Sequence, residues 1–390
     1  MDDARSSMSL AGQNAWLVED MYALYRRDPS SVSESWRDFF SDYRADEGQP
    51  EPSPPPPSAP SPASSPAEPE SPPAQPAPQG EPIRGAGARI VANMEASLAV
   101  PTATSFREVP ARLLEVNRSI INDYLGRTRG GKVSFTHLIA FAVVRSVADH
   151  LPVMNSTFVE DGTGPRVIHH DHIGLGIAVD VEKSDGSRTL LVPSIRESDT
   201  LGFRQFVDAY EDLIRKVRTN KLSPDDFAGT TISITNPGTI GTRQSVPRLM
   251  PGQGLIVGVG AIEVPTAFQA ADPRTLAAFG MSKVITITST YDHRIIQGAE
   301  SGMFLKKVHE LLIGEDGFYD DVFRSLGVPY EPVGWSVDVM PADHEEAHLR
   351  KQVQVNALVN MHRVRGHLIA DLDPLALKEP HTHSELDPET

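Results

Sequence analysis

Fifteen of the chain's 33 prolines fall between Pro50 and Pro82, mixed with Ala, Ser, Glu and Gln. No stretch of that composition buries enough apolar surface to fold, and proline removes backbone donors from any helix or sheet. The 390 residues therefore cannot form one continuous globule. A Pro/Ala/Ser-rich linker, read as disordered and semi-rigid, is expected over 45–97, with separate folding units on either side. A Pro-rich recognition ligand is the alternative use of such a stretch. The linker also accounts for the low hydrophobic fraction, 39%.

Before the linker, residues 1–44 read as a short helical segment. Trp16, Met21, Leu24 and Tyr25 share one helical face. After Asp28-Pro29-Ser30, a helix-start signal, Val32, Trp36, Phe39, Phe40 and Tyr43 recur at helical spacing. Two helices this short cannot bury two tryptophans alone. The segment either docks on a partner protein or forms a hairpin that self-associates.

After the linker, residues 98–326 carry the alternation of a globular body. Helical periodicity spans 109–125, 134–150, 200–219 and 298–313, and strand-like runs lie at 173–181, 189–195, 230–235, 254–262 and 283–289. The order lacks regular βαβ alternation, so an α/β sandwich on a mixed sheet is expected. Residues 327–390 contain one further helix, over 345–364.

Charge and residue usage exclude several functions. The formal charge is −16, which disfavours a nucleic-acid partner. No apolar run approaches the ~18 residues of a membrane span, and no secretory layout opens the chain, so no membrane partner is expected and a cytoplasmic location fits. With 0 cysteines there are no disulfides, thiolate nucleophiles or Cys-ligated zinc. His169-His170-Asp171-His172 offers metal-ligating side chains, but no complementary cluster accompanies it. A polar turn before the strand at Ile173 explains it equally, and no metal site is assigned.

Two places carry chemistry. The strand Val284–Thr288 runs into Tyr291-Asp292-His293-Arg294, and Gly298 then opens an amphipathic helix. Strand ends are where α/β proteins commonly present reactive side chains. The second place is Thr230-Thr-Ile-Ser-Ile-Thr-Asn-Pro-Gly238, a strand ending in hydroxyls and a Gly/Pro turn. By itself it is an ordinary β-turn.

At these two places the chain resembles the catalytic domain of the dihydrolipoamide acyltransferases, the second components of 2-oxo acid dehydrogenase complexes, whose fold is shared with chloramphenicol acetyltransferase. The family motif is Asp-His-Arg-x-x-Asp-Gly. Asp292, His293, Arg294 and Gly298 match it, and Gln297 replaces the second Asp. The family's other signature, a Thr- or Ser-bearing strand running into Asn, falls on Thr235 and Asn236. The stretch 251–260 looks like the family's next strand.

The resemblance implies His293 as general base on a thiol and Thr235 as donor to the oxyanion, with Asp292, Arg294, Gln297, Asn236 and Gly298 in support. It also implies coenzyme A and a lipoyl group on a partner protein as substrates, and a homotrimer whose active sites lie between subunits. Gln297 supplies only neutral hydrogen bonds where the family has a carboxylate. Glu300, one turn along, is a candidate replacement.

The ends add to this. Asn14–Tyr22 and Asp28–Phe40 look like the start of the decarboxylase component of 2-oxoglutarate dehydrogenase, and Val364–Leu375 resembles the segment leading to its thiamine domain. An acyltransferase domain between such pieces is similar to the fused multifunctional 2-oxoglutarate dehydrogenase/decarboxylase proteins of some bacteria, with 327–390 as the truncated start of the decarboxylase. That resemblance implies succinyl as the acyl group, in the tricarboxylic acid cycle. Thiamine diphosphate and magnesium are expected only in the missing decarboxylase part. The partners implied are a lipoyl-bearing acyltransferase and the dihydrolipoamide dehydrogenase component. A catalytically weakened trimeric scaffold for the decarboxylase is the alternative.

Overall fold

The computed structural model describes residues 15–42, 83, 86–128, 130–182, 188–336 and 341–366. The chain divides into two units. One holds the residues up to Glu263 together with Val284–Val333, and the other holds Val264–Lys283 and the residues from Gly334 onward.

The first unit is built on a mixed sheet. Its strands are β1 (Thr102–Pro110), β4 (Leu175–Glu182), β5 (Arg188–Leu191), β6 (Ser194–Ile195), β7 (Ile232–Thr235), β8 (Leu255–Val259) and β9 (Val284–Asp292), in the spatial order β1-β9-β8-β7-β4-β5, with β6 also on β4. The pairs β4–β7 and β7–β8 are parallel; the other pairs in the sheet are antiparallel. A separate hairpin joins β2 (Ser156–Asp161) to β3 (Gly164–His169).

Helices cover the sheet. Those of the body are α4 (Arg112–Thr128), α5 (Phe135–Asp149), α6 (Phe203–Arg218), α8 (Gly298–Leu312) and α9 (Phe318–Leu326). Helix α5 is apolar nearly all round and ten of its residues are buried, so it lies within the core. Ser134 caps it: the Ser134 hydroxyl accepts from the His137 N–H, and His137 Nδ1 accepts from the Ser134 N–H. Helix α8 buries the stripe Phe304, Leu305, Val308, Leu311 and Leu312. Aromatics join α5, α6 and α9: Phe141 meets Phe203 edge to face and packs tilted against Phe206 and Phe318.

The sequence-predicted mixed sheet and sandwich are present, as are the helices and strands expected in the body. Three features differ from expectation. Strand β1 and the β2–β3 hairpin have no counterpart among the expected strands, and Val109, expected to be helical, lies in β1. The expected linker is also too long. Its last dozen residues form helix α3 (Ala86–Ser97), because the prolines stop at Pro82 and the Ala, Arg, Met and Glu of that stretch favour helix. Most of the remaining linker lies outside the described residues.

Before it, α1 (Ala15–Arg27) and α2 (Glu34–Asp42) form the expected helical pair. Trp36 is not free for an outside partner. It is buried, and its Nε1–H donates to the Leu222 carbonyl of the body at 3.1 Å.

The second unit contains the short helix α7 (Pro273–Ala278) and the long α10 (Pro341–Arg365), which covers the expected helix at 345–364. Residues 367–375, part of the segment resembling the thiamine-domain approach, lie outside the described residues. No described helix is long and apolar enough to cross a membrane.

Candidate active site

His293 sits just past the end of β9. Its backbone N–H donates to Pro101 O at 2.9 Å, and its exposed ring packs edge-on to Tyr291 at 5.5 Å. The turn beneath it is locked by charge. Asp292 is 2% exposed, and Arg294 Nε and Nη2 reach both its carboxylate oxygens at 2.5–3.2 Å. The Asp292 carboxylate also accepts from the Arg294 N–H at 3.0 Å. A bidentate pair of this kind fixes orientation as well as energy. The guanidinium lies over the Phe158 ring, 3.7 Å from its centroid, so the β2–β3 hairpin forms one wall of the turn. The hairpin comes this close because position 254 is glycine: a Cβ there would lie 2.0 Å from Ser156 O.

These contacts settle where the supporting residues sit. Arg294 already has its carboxylate, in Asp292, so the substitution at Gln297 leaves no unpaired cation there. Gln297 is exposed and is the N-cap of α8. Glu300 does not replace the absent carboxylate beside the histidine. Its oxygen accepts the Gln297 N–H at 2.6 Å and closes the helix end.

Thr235 ends β7, half-buried, and Asn236 starts the turn after it. Asn236 Nδ2 donates to the hydroxyl of Thr136, in the first turn of α5, at 2.7 Å. Gly238 is required two residues on, because a Cβ would meet Gly260 O at 2.2 Å. The turn borders a cavity of about 300 Å³ lined by Arg118, Phe135, Thr136, Asn236, Gly238 and Val259, among others. His137, deeper in α5, is kept neutral by burial, which pushes its pKa down to about 4. With Nδ1 accepting from Ser134, the proton lies on Nε2, 3.2 Å from the Glu211 carboxylate.

The two places are far apart within one chain. Thr235 pairs with Gly258, and Gly258 pairs with Thr288. His293 lies five residues beyond Thr288 along the strand direction, a span of about 17 Å at ~3.4 Å per residue. The antiparallel β8–β9 pairing puts them at opposite ends of the sheet. The third histidine-rich place is dispersed too. His169 pairs with Ser156 at 2.8 Å, His170 with Thr157 at 2.9 Å and His172 with Asp199 at 3.0 Å. No cluster of three or more His, Asp or Glu able to hold a metal occurs among the described residues.

Phe158 and Thr136 were not legible as site residues. Each touches the site across a long sequence separation, and neither belongs to a local motif.

A family model described as the 2-oxoacid dehydrogenases acyltransferase catalytic domain matches residues 75–315, and the chain belongs to that family. A second, the 2-oxoglutarate dehydrogenase N-terminus, matches residues 7–47. The chain is 45% identical over 447 aligned residues to the multifunctional 2-oxoglutarate metabolism enzyme of Mycobacterium sp. (strain JLS), covering 98% of this chain and 35% of that protein. It thus spans about a third of the length of this relative. Among solved structures, a truncated catalytic core of the 2-oxoacid dehydrogenase multienzyme complex from Thermoplasma acidophilum is similar at 26% identity and a TM-score of 0.50, over 62% of this chain and 99% of that one. A probable dihydrolipoamide acetyltransferase from Listeria monocytogenes shares the fold at 22% identity and a TM-score of 0.51, over 66% and 99%.

Proposed function

We propose that this chain transfers a succinyl group between dihydrolipoamide and coenzyme A, with His293 as general base and Thr235 as oxyanion donor. A free thiol has a pKa of about 8.5, so little thiolate exists at neutral pH. His293 takes the proton from the attacking thiol. The thiolate adds to the thioester carbonyl, and the Thr235 hydroxyl donates to the resulting oxyanion. Collapse breaks the original C–S bond, and the imidazolium returns its proton to the leaving thiolate. No covalent enzyme intermediate is needed, in keeping with a chain that has 0 cysteines.

The observation that carries this reading is the separation of the two groups. An exposed histidine on a charge-locked turn and a half-buried threonine beside a cavity stand at opposite ends of one sheet. They complete one site only when the His293 end of one copy meets the Thr235 end of another. A symmetric assembly supplies that contact, and the resemblance to the dihydrolipoamide acyltransferases favours a trimer. Succinyl is favoured by the 45% identity to a 2-oxoglutarate metabolism enzyme. The lipoyl arm comes from a partner acyltransferase and is reoxidised by dihydrolipoamide dehydrogenase. Decarboxylation of 2-oxoglutarate with thiamine diphosphate and magnesium belongs to the longer protein, of which this chain matches a third.

The test is succinyl transfer from S-succinyldihydrolipoamide to coenzyme A by the wild-type chain and by His293→Ala. A rate in wild type that the variant loses supports the enzyme. Equal background rates from two preparations that both assemble overturn it and leave the scaffold reading.

A further inference from the structure

The N-terminal helices and the acyltransferase body match two different family models, yet the structure packs one on the other. The contact is specific. Trp36 is 1% exposed, and its indole N–H, a donor that burial would otherwise orphan, reaches the Leu222 carbonyl 186 residues away. Helix α2 lies against the 3-10 turn Pro224–Phe227. Around Trp36 the helical pair contributes its own small cluster of Val18, Val32 and Phe40, with Tyr22, Tyr25 and Phe39 packed on it. Trp36 and Phe40 stack at 5.2 Å. A pair of helices this small cannot enclose a tryptophan unaided, and the body closes the missing wall.

The receiving surface is shaped by the chain after α6. Asn220 takes a left-handed conformation, φ +51°, which reverses the backbone before Leu222. Beneath this turn, Leu191, Val217, Leu222 and Phe227 form a cluster separate from the main core. A second attachment joins α1 to α3 beyond the linker, and Val100, just after α3, is buried with Leu249 and Ile256 of the body.

We infer that the surface formed by residues 219–227 of the acyltransferase body is a docking site for a helical pair of the 2-oxoglutarate dehydrogenase N-terminal type, occupied here by the chain's own residues 15–42. The docked pair needs no covalent continuity through the Pro-rich stretch; the tether only raises its local concentration. This inference does not depend on the roles given to His293 and Thr235.

The test uses the full chain with a protease site inserted between Pro57 and Pro72. After cleavage of the folded protein, the N-terminal fragment is expected to co-elute with the body on gel filtration in wild type and to leave it in Trp36→Ala. Trp36→Phe keeps the ring and loses the N–H donor, and should retain the fragment partially. On the uncleaved chain, backbone amides over 219–227 should exchange with deuterium about tenfold faster in Trp36→Ala than in wild type. The second measurement reads the body alone, so it holds even if the variant's helices unfold. Release of the wild-type fragment on cleavage, or unchanged exchange over 219–227 in the variant, overturns the inference.

Discussion

The two ends of the sheet are held by different physics. At the His293 end a buried carboxylate and a guanidinium are locked in a bidentate pair beneath a solvent-facing imidazole, with Phe158 as a lid on the cation. At the Thr235 end the strand leads into a neutral turn, tied by one hydrogen bond from Asn236 to the capped start of α5 and set against a cavity. Charge fixes the end proposed to move protons; neutral hydrogen bonding fixes the end proposed to receive an oxyanion. An acidic group beside the developing oxyanion would oppose it, and neither Asn236 nor Thr136 introduces one.

The largest effect that breaks this comparison is on turnover. His293→Ala and Thr235→Val are each expected to lower succinyl transfer at least ~10²-fold. Mixing the two variants under conditions that exchange subunits should then restore about a quarter of wild-type activity, since random assembly pairs an intact His293 end with an intact Thr235 end in about that share of interfaces. No recovery in mixed assemblies would place both groups in one copy's site.

Next in size is the charge lock. Arg294→Met leaves the Asp292 carboxylate buried without its cation and should cost about 3 kcal/mol of stability in urea unfolding. The matching change at the other end, Thr136→Val, removes one neutral hydrogen bond. It should cost about 1 kcal/mol, with a drop in kcat larger than any change in KM if it positions Thr235.

Between these lies a pH effect at the neutral end. The pKa of His137 in the folded chain, about 4, lies below its ordinary 6.5. Between those values the unfolded chain binds the extra proton, so stability rises with pH and is lost as pH falls from about 6.5 toward 4. The loss should be about 2 kcal/mol between pH 7 and pH 5. His137→Phe should flatten that slope in urea unfolding measured at the two pH values.

The difference between the two ends also explains what was legible in the sequence. The His293 end is written locally: Asp292, His293 and Arg294 are adjacent, and Asp292 and Arg294 bond to each other. The turn after β7 was visible as Asn-Pro-Gly for the same reason. Phe158, Thr136 and Gly254 contribute through contacts between distant segments, which periodicity cannot register. Strand β1 escaped because its faces do not alternate cleanly between buried and exposed. The β2–β3 hairpin escaped because most of its residues face solvent, so it lacks an apolar stripe. Helix α3 was not distinct from the linker because its Ala-rich composition continues that of the Pro-rich stretch, and only the end of the prolines at Pro82 separates them. Trp36 shows the reverse case. Its apolar face was plain in the sequence, but the surface that covers it, around Leu222, carries no signal of its own.

The antiparallel pairing of β8 with β9 has one more consequence. With the roles proposed for His293 and Thr235, a solitary chain owns a base with no oxyanion donor in reach and a donor with no base. Its velocity on dilution should fall faster than its concentration, because enzyme enters the rate law more than once. A newly synthesised copy is then silent until it meets another, and assembly itself acts as the licence for thioester chemistry.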